Sequence, residues 1–373
     1  MAIESAEVLL LSVDIAADLD FWTSSALGFR MDHVFPADDP RVACLSGHGL
    51  RLRLAKSPGA APTSNPSTIR LLHSGKPPQQ PSLISPSGVH VEFHPSTLAF
   101  PSPPTQHSFS TRRLLDNAPW IIGRAGMHYR DLIPTRLGGS IIASHIRITD
   151  PGPVPDRVHF HTVGFQLIFV LKGWVRVVYE DQGPAFIMRG GDCVIQPPGI
   201  RHRVLESGDG VEVVEVGVPA EHLTTIDHEM VLPNGSEVVG DREWEGQRFV
   251  RSMAVDAVWG NWRVEGFEAR DTGVRAGTKG KASVNVVRPV MGMGKGGAVS
   301  SHDADILFDF VLSGSCTLQV QDNGRHSLTE GDAYTLPPGY KASLNDMSKD
   351  FTLLEVSLPG GFSTTAHPEV QLA

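Results

Sequence analysis

Three histidines and one glutamine fall at spacings that would bring them together on neighbouring strands. His159 and His161 are two residues apart, so on a β-strand both rings project to the same face. Gln166 follows five residues later, and His202 comes just after the Pro-Pro-Gly turn at 197–199. Neutral imidazole is a good ligand for divalent iron, copper, nickel, zinc or manganese. The pattern predicts one divalent metal ion held by these four side chains.

Two further assignments concern side chains beside the predicted ligands. Gln166 can offer a metal only a neutral amide oxygen, so it either ligates weakly or hydrogen-bonds the substrate or a metal-bound water. Arg201 lies next to His202 and could hold an anionic substrate; the alternative is a solvated arginine at the rim. We assign catalytic roles to Gln166 and Arg201. The alternative for the three histidines is a hydrogen-bonded set in a metal-free pocket.

The segment 155–203 resembles the two conserved motifs of the cupin superfamily. The residues that match the first motif are His159, His161, Gln166 and Gly173. The residues that match the second motif are Gly191, Pro197, Gly199 and His202. The usual glutamate of the first motif is replaced here by Gln166, which removes one negative charge from the implied site. The resemblance implies a small jelly-roll β-barrel with a metal inside.

The chain downstream of residue 118 contains an internal repeat. Three landmarks recur at an offset of 140 or 141 residues: the pair Arg130-Asp131 as Arg270-Asp271, FVLKG at 169–173 as FVLSG at 310–314, and GGDCVIQPPGIRH at 190–202 as EGDAYTLPPGYKA at 330–342. Two copies of one barrel unit are expected, which is a bicupin. The fold class is therefore mainly β, with two cupin barrels of the jelly-roll type.

The second copy serves as an internal control for the first. The positions that correspond to the four predicted ligands hold Ser300, His302, Leu307 and Ala342. A lone histidine does not hold a metal, so barrel two is predicted to be structural. The same comparison shows that the fold itself does not require the four polar residues of barrel one.

Residues 1–98 form a separate unit with a strand–helix–strand–strand–strand pattern. The predicted elements are strand Glu7–Val13, helix Ile15–Leu27, and strands Phe29–Phe35, Arg41–Leu45 and Leu50–Leu54. This α+β module resembles one module of the vicinal oxygen chelate superfamily, which includes glyoxalase I and bleomycin-resistance proteins. Glu92 falls at a ligand position of that family, but the first strand offers no second ligand. We expect a degenerate, metal-free module that serves packing or dimerisation.

The domain boundaries follow from these patterns. We predict the glyoxalase-like module at 1–98, a Pro/Ser-rich linker at 99–118, metal-binding cupin one at 119–232 and degenerate cupin two at 240–373. The exposed sheet of a shortened N-terminal module favours a homodimer.

Charge and composition restrict partners and location. The net charge of −9 and the dispersed basic residues disfavour nucleic acid and anionic membranes, which leaves a small-molecule substrate as the expected partner. Three distant cysteines make neither a disulfide framework nor a CxxC motif. The N-terminus lacks a basic leader, and no apolar run approaches the ~18 residues of a membrane helix. A reducing, cytoplasmic location is expected.

The predicted site supports more than one reaction. Three neutral histidines leave cis positions for a bidentate oxygen substrate beside dioxygen or water, and a metal with undiminished charge stabilises an enolate. The first hypothesis is a non-haem dioxygenase, with iron as the expected metal, acting on a small aromatic or enolisable carbonyl compound. The second is a non-oxidative lyase, isomerase or decarboxylase. The third is a bicupin that binds a small molecule without catalysis. Fold alone does not choose among them.

Overall fold

The computed structural model describes residues 6–35, 40–57, 67–74, 76, 80–96, 102–290 and 296–372. Strands dominate this part of the chain, so the predicted mainly β class is confirmed. Two compact units are present, residues 1–99 and 100–373.

The first unit has the predicted order of elements. Its elements are β1 Val8–Ser12, α1 Ile15–Trp22, β2 Arg30–Phe35, β3 Val42–Gly47, β4 Leu50–Lys56, β5 Thr68–His73, β6 Ser82–Ile84 and β7 His90–Pro95. Strands β1 to β4 form one sheet, and β5 to β7 form a second. Asp14 caps α1 by accepting from the backbone nitrogen of Ala17 at 3.0 Å. The helix ends at Trp22 rather than at the predicted Leu27, because a turn begins at Thr23.

Barrel one occupies the first half of the second unit. Its strands are β9 Ile121–Ile122, β10 His128–Asp131, β11 Ile142–Ile148, β12 Gly152–Pro153, β13 His159–His161, β14 Phe165–Lys172, β15 Trp174–Tyr179, β16 Phe186–Arg189, β17 Cys193–Ile195, β18 His202–Ser207, β19 Val211–Val218 and β20 Thr224–Ile226. Strand β8 Ser110–Arg112 precedes them in the chain. Three short strands follow them: β21 Glu243–Trp244, β22 Gln247–Arg248 and β23 Val250–Ser252. One sheet runs β17-β14-β19-β11-β10-β9, and the facing sheet runs β16-β15-β18-β13-β20.

Barrel two repeats this arrangement. Its elements are β24 Trp259–Asn261, β25 Phe267–Asp271, α2 Val274–Gly277, β26 Ser283–Pro289, β27 Ser300–His302, β28 Ile306–Ser313, β29 Ser315–Val320, β30 Gly324–Thr329, β31 Ala333–Thr335, β32 Ala342–Asn345, β33 Thr352–Leu358 and β34 Thr364–Ala366. The two copies share the same sheet orders, which explains the sequence repeat. Gly173 and Gly314 occupy equivalent turns with φ of +72° and +70°, a conformation that favours glycine.

Period-2 alternation on β14 separates two environments. Leu167 and Phe169 point outward into a hydrophobic core that also contains Phe308 and Phe310 of barrel two. The intervening residue Ile168 points into the interior of barrel one. Because both barrels bury their outward faces in this common core, the two copies form one compact unit.

Each barrel also receives a strand from the segment that precedes the other barrel. Strand β8, which precedes barrel one, pairs with β31 of barrel two. Strand β23, which precedes barrel two, pairs with β17 of barrel one. We call β8 and β23 the exchanged arms. The first arm lies inside the segment that the sequence predicts to be a linker.

The exchanged arms are fixed by the repeated Gly-Asp corners. Asp332 accepts a hydrogen bond from the backbone nitrogen of Leu114 at 2.7 Å, and Asp192 accepts one from that of Ala254 at 2.7 Å. These two bonds are related by the repeat. They explain why an aspartate follows the turn glycine in both copies.

The repeated arginines complete the same junctions. Arg130 Nη2 donates to the carbonyl oxygen of Gly331 at 2.5 Å, and Arg270 Nη2 donates to that of Gly191 at 2.8 Å. Both arginines are buried. Burial lowers the pKa of Arg130 to about 10, so it stays charged at neutral pH. Each arginine therefore bonds the corner of the opposite barrel.

Candidate metal centre

The three predicted histidines meet inside barrel one. The ring nitrogens that they offer lie within 4.8 Å of one another, and all three residues are buried. Strand β13 carries His159 and His161 on one face, and its register places His159 directly opposite His202 on β18. The His-x-His spacing thus produces the convergence predicted from strand geometry.

Hydrogen bonds orient each ring. Nδ1 of His159 contacts the carbonyl oxygen of Arg157 at 2.7 Å, and Nδ1 of His202 contacts that of Ile200 at 3.0 Å. A carbonyl oxygen only accepts, so Nδ1 of both rings carries a proton. Nδ1 of His161 contacts the Thr224 hydroxyl at 2.9 Å, which can accept in the same way. Such outer contacts typically fix metal-binding imidazoles.

Gln166 is held beside the histidines by a carboxylate that the sequence analysis did not identify. Its side-chain nitrogen donates to Glu215 Oε1 at 2.5 Å. This bond fixes the orientation of the amide, because a carboxylate accepts only from the NH₂ group. The amide oxygen is buried and has no hydrogen-bond partner among the described residues. A hydrogen-bond donor or a metal ion would satisfy this oxygen.

The ligands open onto a cavity of about 70 Å³. Most of its lining is aliphatic, sulfur-containing or aromatic, from residues that include Met127, Ile146, Ile148, Ile168, Val177, Met188 and Val213. Glu215 is the one carboxylate, and no lysine or arginine is present, among the described lining residues. The cavity combines a polar end, formed by the histidines, Gln166 and Glu215, with an apolar body.

Tyr179 supports the histidine end of the cavity. Its ring stacks on His202 with a centroid distance of 5.5 Å, and its hydroxyl accepts from Gln196 Nε2 at 2.8 Å. Burial raises the pKa of the Tyr179 phenol, so the ring stays uncharged at neutral pH. The ring packs against the ligand without adding charge to it.

Arg201 is directed elsewhere. Its Nε donates to Asp227 at 3.1 Å, its Nη1 donates to the carbonyl oxygen of Gly199 at 3.1 Å, and its guanidinium stacks over Phe160 at 4.3 Å. It is not among the described residues that line the cavity. The structure brings His159, His161, Gln166 and His202 together but does not bring Arg201 to them; a catalytic role for Arg201 stays a prediction.

Outside barrel one, no group of three potential metal ligands occurs in the described part of the chain. His302 of barrel two lies among Ser300, Leu307 and Ala342, as the repeat predicts. Glu92 of the N-terminal unit accepts from Arg70 at 3.0 Å and contacts His94 Nε2 at 3.1 Å. These contacts lower the pKa of Glu92, and the guanidinium of Arg70 balances the negative charge of its carboxylate.

The donor set fits a divalent metal. Three imidazoles meet at one end of a cavity, and a buried amide oxygen that lacks a hydrogen-bond partner among the described residues lines the same cavity. The fit rests on these side chains alone. Nitrogen donors with a single neutral oxygen suit first-row transition metals.

Comparisons with known proteins agree with this geometry. A family model described as Cupin domain matches residues 146–217. This match covers β13, β14 and β18, and hence every predicted ligand. A search of curated protein sequences found no match.

Solved structures extend the resemblance to the second barrel of the fold. Oxalate decarboxylase from Bacillus subtilis at pH 4.6 has a TM-score of 0.51 at 12% identity, covering 69% of this chain and 78% of that chain. The formate complex of Lactobacillus farciminis oxalate decarboxylase has a TM-score of 0.51 at 16% identity, covering 69% of this chain and 88% of that chain. Protein Ylba from E. coli has a TM-score of 0.51 at 13% identity, covering 71% of this chain and 96% of that chain. At these identities the likeness shows the fold alone. The N-terminal glyoxalase-like resemblance stays a prediction.

No helix in the described residues is long and apolar enough to cross a membrane.

Glu215 and Thr224 are site residues that local sequence patterns do not reveal. Glu215 lies in the strand EVVEVGV, where two glutamates three residues apart among valines do not indicate which of them faces the barrel interior. Only the register of β14 against β19, which places Ile168 opposite Glu215, shows that this face lines the cavity. The repeat carried a partial signal, because Glu355 occupies the equivalent position of barrel two.

Replacing Glu215 with glutamine should weaken metal binding by about 10–100-fold, the usual effect of removing a partner that orients a ligand. A glutamine at position 215 could donate as well as accept, so it would no longer hold the Gln166 amide in one orientation. A competition titration with a metal-binding dye measures the change. Glu206→Gln is the matched control, because Glu206 makes only an exposed ion pair with Arg176. Equal affinity in both variants would show that Glu215 does not orient the site.

Proposed function

We propose that barrel one is a metal-dependent dioxygenase site for a small, enolisable carbonyl or aromatic compound. The observation that supports this proposal is the neutral donor set at one end of an apolar cavity. A metal held there would polarise a chelating oxygen and, if it is iron, could also react with dioxygen.

The lining of the cavity selects the substrate class. No cationic side chain is present among the described lining residues, so the metal is the only positive charge available to an anion. A dicarboxylate would leave one carboxylate in an aliphatic environment, which is unfavourable. A β-diketone or catechol-like compound instead places two adjacent oxygens at the histidine end and its apolar body against Ile146, Ile168 and Val213.

The protein groups would then have separate roles. His159, His161 and His202 hold the metal, and Gln166 supplies an oriented amide dipole without adding charge. Glu215 lines the same cavity, so its carboxylate can take the proton that leaves when the substrate enolises. The aliphatic wall excludes water and so protects an electron-rich enolate from protonation.

A non-oxidative lyase or decarboxylase is the second candidate. Support comes from the fold likeness to proteins described as oxalate decarboxylases. The same metal and carboxylate could stabilise an enolate that is reprotonated rather than oxidised. Simple binding without catalysis remains the third candidate.

An oxygen electrode distinguishes these candidates. Protein loaded with Fe²⁺ is mixed with pentane-2,4-dione, and dioxygen uptake is compared with diketone loss by absorbance. We expect uptake equal to diketone loss, and neither in His161→Ala protein. Diketone loss that continues under argon would establish the non-oxidative candidate. Because the diketone is one member of the class, 1,2-dihydroxybenzene is tested in parallel; failure of both compounds with fully loaded protein would contradict the dioxygenase proposal.

A further inference from the structure

Barrel two contains a cavity of its own, which no proposed activity uses. Its volume is about 40 Å³, and it lies where barrel one holds the metal ligands. Three apolar residues, Phe267, Leu318 and Leu344, form part of its wall. His302, Asp309 and Tyr334 bring polar groups to the same space.

Two buried polar atoms in this cavity have no hydrogen-bond partner among the described residues. The two atoms are Nδ1 of His302 and Oδ1 of Asp309. His302 is 4% exposed and Asp309 is 1% exposed. Buried polar groups in native proteins are nearly always paired, so these two atoms indicate a missing partner. Both belong to residues that line the cavity.

The hydrogen-bonding character of each atom follows from its surroundings. Nε2 of His302 contacts the carbonyl oxygen of Leu336 at 3.1 Å, so Nε2 carries the proton and Nδ1 is an acceptor. Burial, with the nearby Arg263, lowers the pKa of His302 to about 4, which keeps the ring neutral. Burial, with the nearby Glu355, raises the pKa of Asp309 well above its usual value. This shift favours the protonated acid, which can donate as well as accept, and Tyr334 hydrogen-bonds the same side chain.

The charged groups around the cavity are already paired. Arg263 donates to Glu355 Oε2 through Nε at 2.9 Å and through Nη2 at 2.6 Å. Trp262 Nε1 donates to the other oxygen of Glu355 at 3.2 Å. With this pair neutralised and the protonated form of Asp309 favoured, the cavity is suited to an uncharged ligand.

Barrel one shows that the fold does not need these polar groups. The register that places Asp309 opposite Tyr334 in barrel two places Ile168 opposite Val194 in barrel one. An apolar pair therefore suffices for the same strands. Tyr334 hydrogen-bonds Asp309, but Oδ1 of Asp309 has no partner among the described residues, and such a buried atom weakens a core unless something binds it.

We propose that barrel two is a second, metal-free binding pocket for a small uncharged molecule with a hydroxyl or carboxamide group. Such a group accepts from Asp309 and donates to His302 at once. Either kind of molecule offers an adjacent donor and acceptor, and the apolar wall accepts its carbon atoms. Barrel two would then bind a ligand rather than serve only as a scaffold.

The test uses the full chain carrying His161→Ala, so that barrel one cannot bind the probes through a metal. Saturation-transfer NMR measures binding of acetamide and of 1,2-propanediol, with acetate and guanidinium as charged controls. We expect saturable binding of at least one neutral probe, with about millimolar affinity given so few heavy atoms, and none of the charged ones.

Two variants then locate the site. Asp309→Leu/Tyr334→Phe removes the polar pair while keeping its shape, and should weaken binding at least tenfold without lowering the melting temperature. His302→Leu should weaken binding to the same extent, whereas His326→Leu, on β30 of the same barrel, should not. If neither neutral probe saturates, or if binding survives both site variants, the cavity holds only water and the proposal is wrong.

Discussion

Replacing His161 with alanine should abolish metal binding, whereas replacing His302 with alanine should leave the metal content unchanged. His161 supplies one of three converging ring nitrogens, and two histidines with one amide oxygen retain a divalent ion poorly. We expect a loss greater than the 10–100-fold that removal of an orienting partner causes. Elemental analysis of protein purified without chelator should find about one equivalent per chain in the wild type and in His302→Ala.

His302 is a matched control for His161 in this comparison. His161 and His302 occupy equivalent positions in the repeat, and both are buried, so a general effect of removing a buried imidazole would appear in both variants. Equal metal content in all three proteins would place the metal elsewhere. Wild-type protein that neither contains metal nor can be reconstituted would contradict both proposed activities.

Replacing Arg270 with methionine should lower the free energy of unfolding by about 2–3 kcal/mol, because the carbonyl oxygen of Gly191 would lose a charged donor in a buried junction. Arg130→Met should have a similar effect through Gly331. Urea denaturation of the purified variants measures the change. Metal content should stay near one equivalent in the folded protein, since neither arginine lines the barrel-one cavity.

The control for this prediction is an arginine outside the junctions. Arg248 lies on β22 with an exposed side chain, so Arg248→Met should change stability by less than about 0.5 kcal/mol. If the three methionine variants unfold at the same urea concentration, the two buried arginines do not hold the barrels together.

The parts of the site that could be predicted from the sequence are those set by short-range geometry. His159 and His161 share a face because strand side chains alternate, and the Pro-Pro-Gly turn returns His202 to the neighbouring strand. The repeat also indicated that the second barrel lacks most of the ligands. The ligand positions need only local spacing, and the repeat is visible when the chain is compared with itself.

The missed features depend on long-range pairing. Glu215 reaches Gln166 only through the register of β14 against β19. The arginines of the repeated Arg-Asp pairs each bond the opposite barrel, a contact that the repeat itself does not indicate. The polar pair Asp309 and Tyr334 lies in strands whose patterns resemble ordinary cores. Partners that are far apart in sequence leave no mark in local spacing.

The exchanged arms have a consequence for synthesis of the chain on the ribosome. Barrel one cannot complete its sheet until residues 250–252 have emerged, because β23 covers the edge of β17. Until then the nascent barrel carries an open strand edge, the kind of surface that pairs with other chains. The first arm emerges early but waits for β31, more than two hundred residues later. The two barrels must therefore finish folding together, although each looks like an independent copy.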